Sequence, residues 1–340
     1  MQAIPNAGDG AFCFYDSALP CILSLVPQPI VFVSGGSGFV GTAVIRELVK
    51  REYHVHALVH RRPLRIDDAR ITLFRGELDD PAALYPAMER ASAVIHLVGI
   101  IREDRSRNIT FHRMHIDLTR AVVDACIKLG VLRFIHMSAL GARSDSPSLY
   151  HQTKAAAEQI VRASPLSWTI LRPSLIHGAG GEFTQLLTDW ANGTKPPWLF
   201  MPYFGRGLLG IGRQSLIQPI RVEDVARAFV DAIEKPNISG KSYDLAGRQQ
   251  LTWPAMYRTF SRSLRGKAKP ALPIPAWYAL LLTRLLPASL LPFNRAQILM
   301  SQEDSTADIQ PFEADFGFTP QGFEQSLTTN APSPRPLHFE

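Results

Sequence analysis

Pro29-Ile-Val-Phe-Val-Ser-Gly-Gly-Ser-Gly-Phe-Val-Gly41 decides how this chain folds. Ile30 to Val33 is a short apolar run that breaks into glycines, the pattern of a buried parallel strand entering a tight turn. Helical spacing follows at once, with Val40, Val44, Leu48 and Val49 on one stripe. Gly35, Gly38 and Gly41 stand at G-x-x-G-x-x-G spacing between the two elements. The first glycine permits the turn, the second lets a pyrophosphate approach the backbone, and the third lets helix and strand pack closely. Free N–H groups at the helix start then face the phosphates. Ser37, Phe39 and Val40 belong to the same binding turn.

The alternation continues downstream. Strands are expected at His54–His60, Ile71–Phe74, Ala93–Leu97, Arg133–Met137 and Trp168–Leu171. Between them lie a helix over Pro81–Arg90, with proline in its first turn, and a long helix over Thr110–Leu129 that stops at Gly130. Short turns between alternating strands and helices predict an α/β, Rossmann-type, doubly wound parallel sheet over residues 29–178. Residues 179–327 are richer in Gly, Pro and aromatics and read as a smaller, loop-rich C-terminal lobe, with 218–247 returning to the sheet. Residues 1–28 read as an N-terminal extension and 328–340 as a flexible tail.

The end of the second strand speaks to the choice of dinucleotide. An acid there binds a ribose 2′-hydroxyl, whereas Arg accommodates a 2′-phosphate. Here the strand runs into Arg61 and Arg62, and Asp67 comes too late, so NADP(H) is favoured over NAD(H). Further on, Tyr150 and Lys154 are four apart in a helix after the fifth strand, which sets both on one face. A phenol titrates near pH ~10, so a neighbouring cation is needed for it to exchange protons near neutrality.

Composition removes other classes. Hydrophobic residues make up 46% and charged residues 19% of the 340, the balance of a packed globule, and the net charge of +6 favours anionic partners. Lys and Arg are scattered, without the basic helix and interleaved aromatics of a nucleic-acid reader. Cys13, Cys21 and Cys126 form neither a disulfide framework nor a metal set, and the pairs His56/His60 and His112/His115 lack further ligands nearby. Reducing, cytoplasmic surroundings fit best, because residues 1–28 carry no Lys or Arg and so resemble neither a secretory signal nor a transit peptide. Residues 271–293 are apolar but broken by four prolines and Arg284, which excludes an ordinary spanning helix. Trp277, Tyr278 and the leucines of this stretch suit a membrane surface, peripheral at the inner membrane, or a hydrophobic partner; the lobe's own core is the competing assignment.

Together these segments resemble the extended and atypical short-chain dehydrogenase/reductase superfamily, over Pro29 to Gly247. Gly76-Glu-Leu-Asp-Asp-Pro81 is similar to the family's adenine-bordering segment, which implies Glu77 and Leu78 in the cofactor site. His96-Leu-Val-Gly99 resembles the turn that lines the cofactor, implying Leu97, Val98 and Gly99. Leu171-Arg-Pro-Ser-Leu-Ile-His-Gly178 resembles the segment at the nicotinamide, implying Pro173 and Ile176. Gln218-Pro-Ile-Arg-Val-Glu-Asp-Val-Ala226 is similar to the late motif of the extended branch. A narrower likeness runs through Leu97–Glu103, His136–Ala142 and Tyr150–Glu158, to the group of the NAD(P)H-binding accessory subunit of respiratory complex I.

The resemblance implies a tightly held NADP(H). For a catalyst it implies hydride transfer to a carbonyl or quinone-related substrate, with ubiquinone chemistry among the group's associations. Tyr150 would exchange the proton, Lys154 would lower the phenol's pKa and hold the nicotinamide ribose, and Ser138 would orient the substrate oxygen. Two positions depart from the pattern: Ala139 competes with Ser138 for the catalytic place, and His115 stands where the family has an Asn. The alternatives are a non-catalytic accessory or assembly protein of a respiratory or quinone membrane complex, and a sugar-nucleotide epimerase or dehydratase. The last is disfavoured by the lack of a recognisable second nucleotide-diphosphate site.

Overall fold

A computed structural model describes residues 29–60, 62–286, 291 and 293–329. The expectations for residues 1–28, Arg61 and the tail beyond 329 fall outside the described residues. The first half runs β1 (Ile30–Ser34), α1 (Phe39–Lys50), β2 (His54–Val59), β3 (Ile71–Arg75), α2 (Pro81–Met88), β4 (Ala91–His96), α3 (Leu118–Leu129) and β5 (Arg133–Met137). Then come α4 (Leu149–Ala163), β6 (Ser167–Pro173), β7 (Ile176–His177), α5 (Glu182–Asn192), β8 (Met201–Gly205), β9 (Leu216–Ile217), β10 (Ile220–Arg221) and α6 (Val222–Glu234). The chain continues through β11 (Lys241–Leu245), β12 (Leu251–Thr252), α7 (Trp253–Arg265), β13 (Ala271–Pro275) and α8 (Ala276–Leu285). Three short helices follow: α9 (Arg295–Ser301), α10 (Gln310–Phe316) and α11 (Phe323–Thr329).

Seven parallel strands form the central sheet in the order β11-β6-β5-β4-β1-β2-β3, a Rossmann-like doubly wound α/β sheet. Both faces are covered. Val31 and Val33 of β1 pack with Val44, Ile45 and Leu48 of α1 and with α6 on one side, while Phe32 meets Leu84, Val122 and Phe134 on the other. A strand buried on two faces must be apolar throughout, which is why Ile30–Val33 shows no polar alternation. The chain leaves β1 toward β2 and β3, then crosses back to β4 on the opposite side, so the order reverses between β1 and β4. Ligands of such sheets bind beyond the carboxyl ends of the strands at that reversal.

A second, smaller core gathers Leu187, Trp190, Met201, Tyr203, Met256 and Phe260 from α5, β8 and α7. The parallel pair β8–β13 lies at its margin. The long helix expected from Thr110 is interrupted: residues 112–117 form a wider π turn before α3 begins. Such turns reset the phase of a helix and recur at functional sites. Here the reset turns His115 inward to 1% exposure.

Candidate functional site

The glycine turn is shaped by contacts that only glycine tolerates. Gly35 has a φ of +76°, and a Cβ there would sit 3.2 Å from the Leu97 carbonyl carbon and the Val98 nitrogen. A Cβ on Gly41 would overlap the Gly35 carbonyl, so α1 closes against the turn only with glycine at its third residue. Gly38 differs from both. Its Cβ would meet just one atom within 4 Å, the Gly35 oxygen at 3.2 Å, and would otherwise enter open space at the N-cap of α1. Space kept clear at a helix start, in front of free N–H groups, fits a pyrophosphate. Ser37 is half-buried in the same turn, and Val40 is buried beneath it. The Phe39 ring leans on Gly178 and Gly181, tying the turn to the segment after β7.

Polar side chains fasten the turn to its neighbours. Ser34 donates to His96 Nδ1 at 2.6 Å, and His96 Nε2 lies 3.1 Å from Thr119 Oγ1, which itself donates to the His115 carbonyl at 2.6 Å. This order requires the proton of His96 on Nε2 and the ring to be neutral. Burial pushes His96 down to about 3, with Lys154 adding repulsion.

Tyr150 and Lys154 lie one turn apart on α4, next to the loop that follows β4. Lys154 is 2% exposed, and its Nζ donates to the Met137 carbonyl at 3.0 Å and the Val98 carbonyl at 3.4 Å. A Cβ on Gly99 would stand 3.0 Å from that Nζ, so the glycine leaves the amine its place. Burial pulls the Lys154 amine down to about 8, against a smaller upward pull from Glu158. Burial pushes the Tyr150 phenol up to about 12, the reverse of the lowering expected from Lys154. The Tyr150 ring is held edge-on by Phe111 and His115, at centroid distances of 5.9 and 5.4 Å.

His115 is a packed, neutral member of this group. Its Nε2 accepts from the Ile100 N–H at 3.2 Å, so its proton is on Nδ1, 2.9 Å from Thr153 Oγ1. Burial first, then Lys154, pushes it down to about 2. Thr153 and His136, whose two ring nitrogens are buried without a hydrogen bond, lie in segments that carry the resemblance but are not singled out by it as site residues. His136 stacks on His96 at 5.5 Å.

The Ser138 hydroxyl is buried and makes no hydrogen bond of good geometry, and it contributes to the field at Glu158. Burial raises the Glu158 carboxyl, but Arg172, Ser138 and Arg162 outweigh it and hold the group below the ordinary carboxylate range. Arg172 grips it through Nε at 2.7 Å and Nη2 at 2.6 Å. Spacing along the chain could not show this pairing, which joins α4 to β6.

The remaining expected residues fall around the same strand ends. Leu97 and Val98 are buried against the glycine turn. Pro173 closes β6, its carbonyl accepting from Leu140 at 3.0 Å, and Ile176 pairs with Ile220 across β7 and β10. Glu77 is engaged by Arg113 at 2.5 Å and by His60 at 3.3 Å, and Leu78 packs on the core beneath. Arg62 is exposed at the turn after β2, 3.9 Å from Glu182.

The NAD(P)H-binding family matches this chain over residues 35–189. The chain is 29% identical over 232 residues to the mitochondrial NADH dehydrogenase (ubiquinone) 1 alpha subcomplex subunit 9 of Mus musculus, covering 66% of this chain and 58% of that protein. It therefore spans less than two thirds of that relative. It is also 29% identical over 242 residues to the ceramide reductase of Caulobacter vibrioides, covering 71% of this chain and 72% of the relative. Among solved structures, the NADPH-dependent quinone oxidoreductase of Escherichia coli, complexed with NADPH, shares the fold with a TM-score of 0.66 at 19% identity, over 88% of this chain and 99% of that one.

Proposed function

We propose that this protein, which belongs to the NAD(P)H-binding short-chain dehydrogenase/reductase superfamily and is homologous to the alpha subcomplex subunit 9 of NADH dehydrogenase, is an NADP(H)-dependent reductase of a carbonyl or quinone-related substrate. The observation that carries this reading is Lys154, one turn from Tyr150 on α4, set against Gly99 beside a glycine turn in which a Cβ on Gly38 would meet a single atom within 4 Å. The turn at Gly35, Gly38 and Gly41 would hold the pyrophosphate, Leu97 to Gly99 would border the bound dinucleotide, and Arg62 would pair with a 2′-phosphate. Bound reduced nicotinamide supplies a hydride.

Tyr150 supplies the proton to the substrate oxygen. A phenol pushed up to about 12 stays protonated at neutral pH, which suits donation in the reducing direction. Lys154, with its amine pulled down to about 8, remains a cation at neutral pH and stabilises the phenolate that forms. The reaction should therefore slow as pH rises through about 8, when Lys154 loses its charge.

Oxidation of NADPH by a panel of quinones, ketones and aldehydes tests this. Tyr150→Phe should lower kcat by about a hundredfold or more while NADPH still binds. Unchanged turnover in that variant excludes the phenol as the acid. Arg62→Ala should narrow the preference for NADPH over NADH by several-fold, and equal affinities in the parent protein would reject NADP(H) as the favoured cofactor.

One observation favours a second reading. The Ser138 hydroxyl is fully buried and Ala139 has no hydroxyl, which weighs against the side-chain donor to the substrate oxygen that the resemblance implies. On this reading the protein binds the dinucleotide without turnover and serves a respiratory or quinone-related membrane assembly. Tight NADPH binding with no oxidation by any member of the panel would select it. Under either reading, residues 271–293 are the segment that contacts a membrane or a hydrophobic partner.

A further inference from the structure

α8 is amphipathic in the reverse sense. Its fully buried residues are small, Ala276 and Ala279, with Leu280 packed beside them, whereas Trp277, Leu281 and Leu285 recur every fourth residue on the outward face with Tyr278 beside them. Trp277 is 50% and Leu285 68% exposed. A helix that packs as part of a core does the opposite.

A second element joins this face. The loop Arg206-Gly-Leu-Leu-Gly-Ile-Gly-Arg213 leaves β8 and presents Leu208, Leu209 and Ile211 at 77%, 68% and 72% exposure. It is not a slack connection. Gly205 and Gly210 approach so closely that a Cβ on Gly205 would overlap the Gly210 carbonyl, and Gly207 and Gly210 have φ of +81° and +75°. The Trp277 indole N–H donates to the Leu208 carbonyl at 3.0 Å, which joins loop and helix into one apolar surface. Patches of this kind on a soluble face mark an interaction site.

Charge identifies the occupant. Residues 190–222 and 245–302, which include the loop and α8, contain twelve Lys or Arg and no Asp or Glu. The remainder of the chain has 24 basic and 30 acidic residues, so the net charge of +6 hides a positive region set against a negative one. Arg213, Lys195 and Arg221 pair with Asp304, Asp189 and Glu223, and Lys269 is buried, but Arg284 is exposed on α8 itself. This excess of basic residues behind apolar tips matches an anionic bilayer, whose headgroups attract the cations while its acyl layer takes the leucines and the indole.

We infer that the loop 206–213 and α8 form one docking platform for an anionic lipid surface. This deepens the membrane-contact reading of residues 271–293 and does not depend on the cofactor. The platform is fastened to the site: Asn294, at the start of α9, donates to the Ile101 carbonyl at 2.9 Å, beside the Ile100 N–H that holds His115.

The test is co-sedimentation of the full-length protein with vesicles of phosphatidylcholine, with and without phosphatidylglycerol, at low and high salt. Anionic vesicles should bind at least about tenfold more protein than neutral ones, and salt should weaken that binding. Leu208→Asn combined with Leu209→Asn and Ile211→Asn should lower binding by about tenfold or more, with thermal stability and NADPH affinity unchanged. If vesicles bind but the triple variant binds as well as the parent, the platform is wrong and the 271–293 contact stands. If neither vesicle binds, both fall. A concentration-dependent dimer that protects Trp277 from quenching, without vesicle binding, makes a second copy the occupant and overturns the proposal.

Discussion

Two helices of similar length, α1 and α8, follow strands of five residues each, and they treat their side chains in opposite ways. α1 sends Val44, Ile45 and Leu48 into the core and spends its glycines on close approach to β1. α8 buries two alanines with Leu280 packed beside them and leaves Trp277, Tyr278, Leu281 and Leu285 in water. At α1, space is the scarce quantity and Gly41 is obligatory for packing. At α8 the tight contacts are made by small residues, and the large ones are free to vary as far as the fold is concerned. Apolar composition alone therefore does not tell a core helix from a docking helix; the size of the residues on the inward stripe does.

The largest expected effect is at the third glycine. Gly41→Val should prevent α1 from closing on the Gly35 carbonyl and leave the protein unfolded or reduce its stability by about 3 kcal/mol or more, read by urea denaturation. Gly38→Val is its contrast, with near-parental stability and NADPH affinity lost by at least about a hundredfold. Equal damage to stability from both would erase the distinction between a packing glycine and a ligand glycine.

Acid should open the core on the site side. His96, His115 and His177 are neutral in the fold, burial having pushed them down to about 3, 2 and 4. Below their ordinary value of 6.5 the unfolded chain binds protons that the folded chain does not, so stability falls as pH drops from 6.5 toward those values. Each histidine adds a slope of up to about 1.4 kcal/mol per pH unit within its window. Urea midpoints at pH 7, 6 and 5 measure it, and a flat response would mean that these rings are charged or exposed.

The smallest effects belong to α8. Ala279→Leu should cost about 1–3 kcal/mol by overpacking the inward stripe, whereas Leu281→Gln should stay within about 0.5 kcal/mol of the parent. Were Leu281→Gln the more damaging of the two, the outward face would be part of the core after all.

What the sequence made legible was local. Pro29 to Gly41 declares strand, turn and helix within thirteen residues, because each depends on neighbours a few positions away. Tyr150 and Lys154 were visible for the same reason, since helical periodicity brings them together. The grip of Arg172 on Glu158 was not, because it joins elements that only the sheet brings together. The π turn at 112–117 was hidden because a one-residue change of helical phase leaves composition untouched. The loop 206–213 did carry a signal: aliphatic residues set singly and in a pair among three glycines, between two arginines, are placed for display and not for burial. Arg61, half of the argument for NADP(H), lies outside the described residues, so Arg62 alone carries that argument in the structure.

The seventh strand has a consequence for the order in which the molecule assembles. β11 pairs with β6, Lys241 opposite Thr169 and Leu245 opposite Pro173, after an excursion of more than sixty residues that builds much of the smaller core. As the chain leaves the ribosome, β6 waits at the rim of a six-stranded sheet with its hydrogen-bonding groups unmatched. Long-range pairings of this kind form late, and an unfilled strand edge invites another nascent chain. Synthesis halted before Lys241 would therefore release a sticky intermediate, and the final strand acts as the latch that makes the sheet safe to expose.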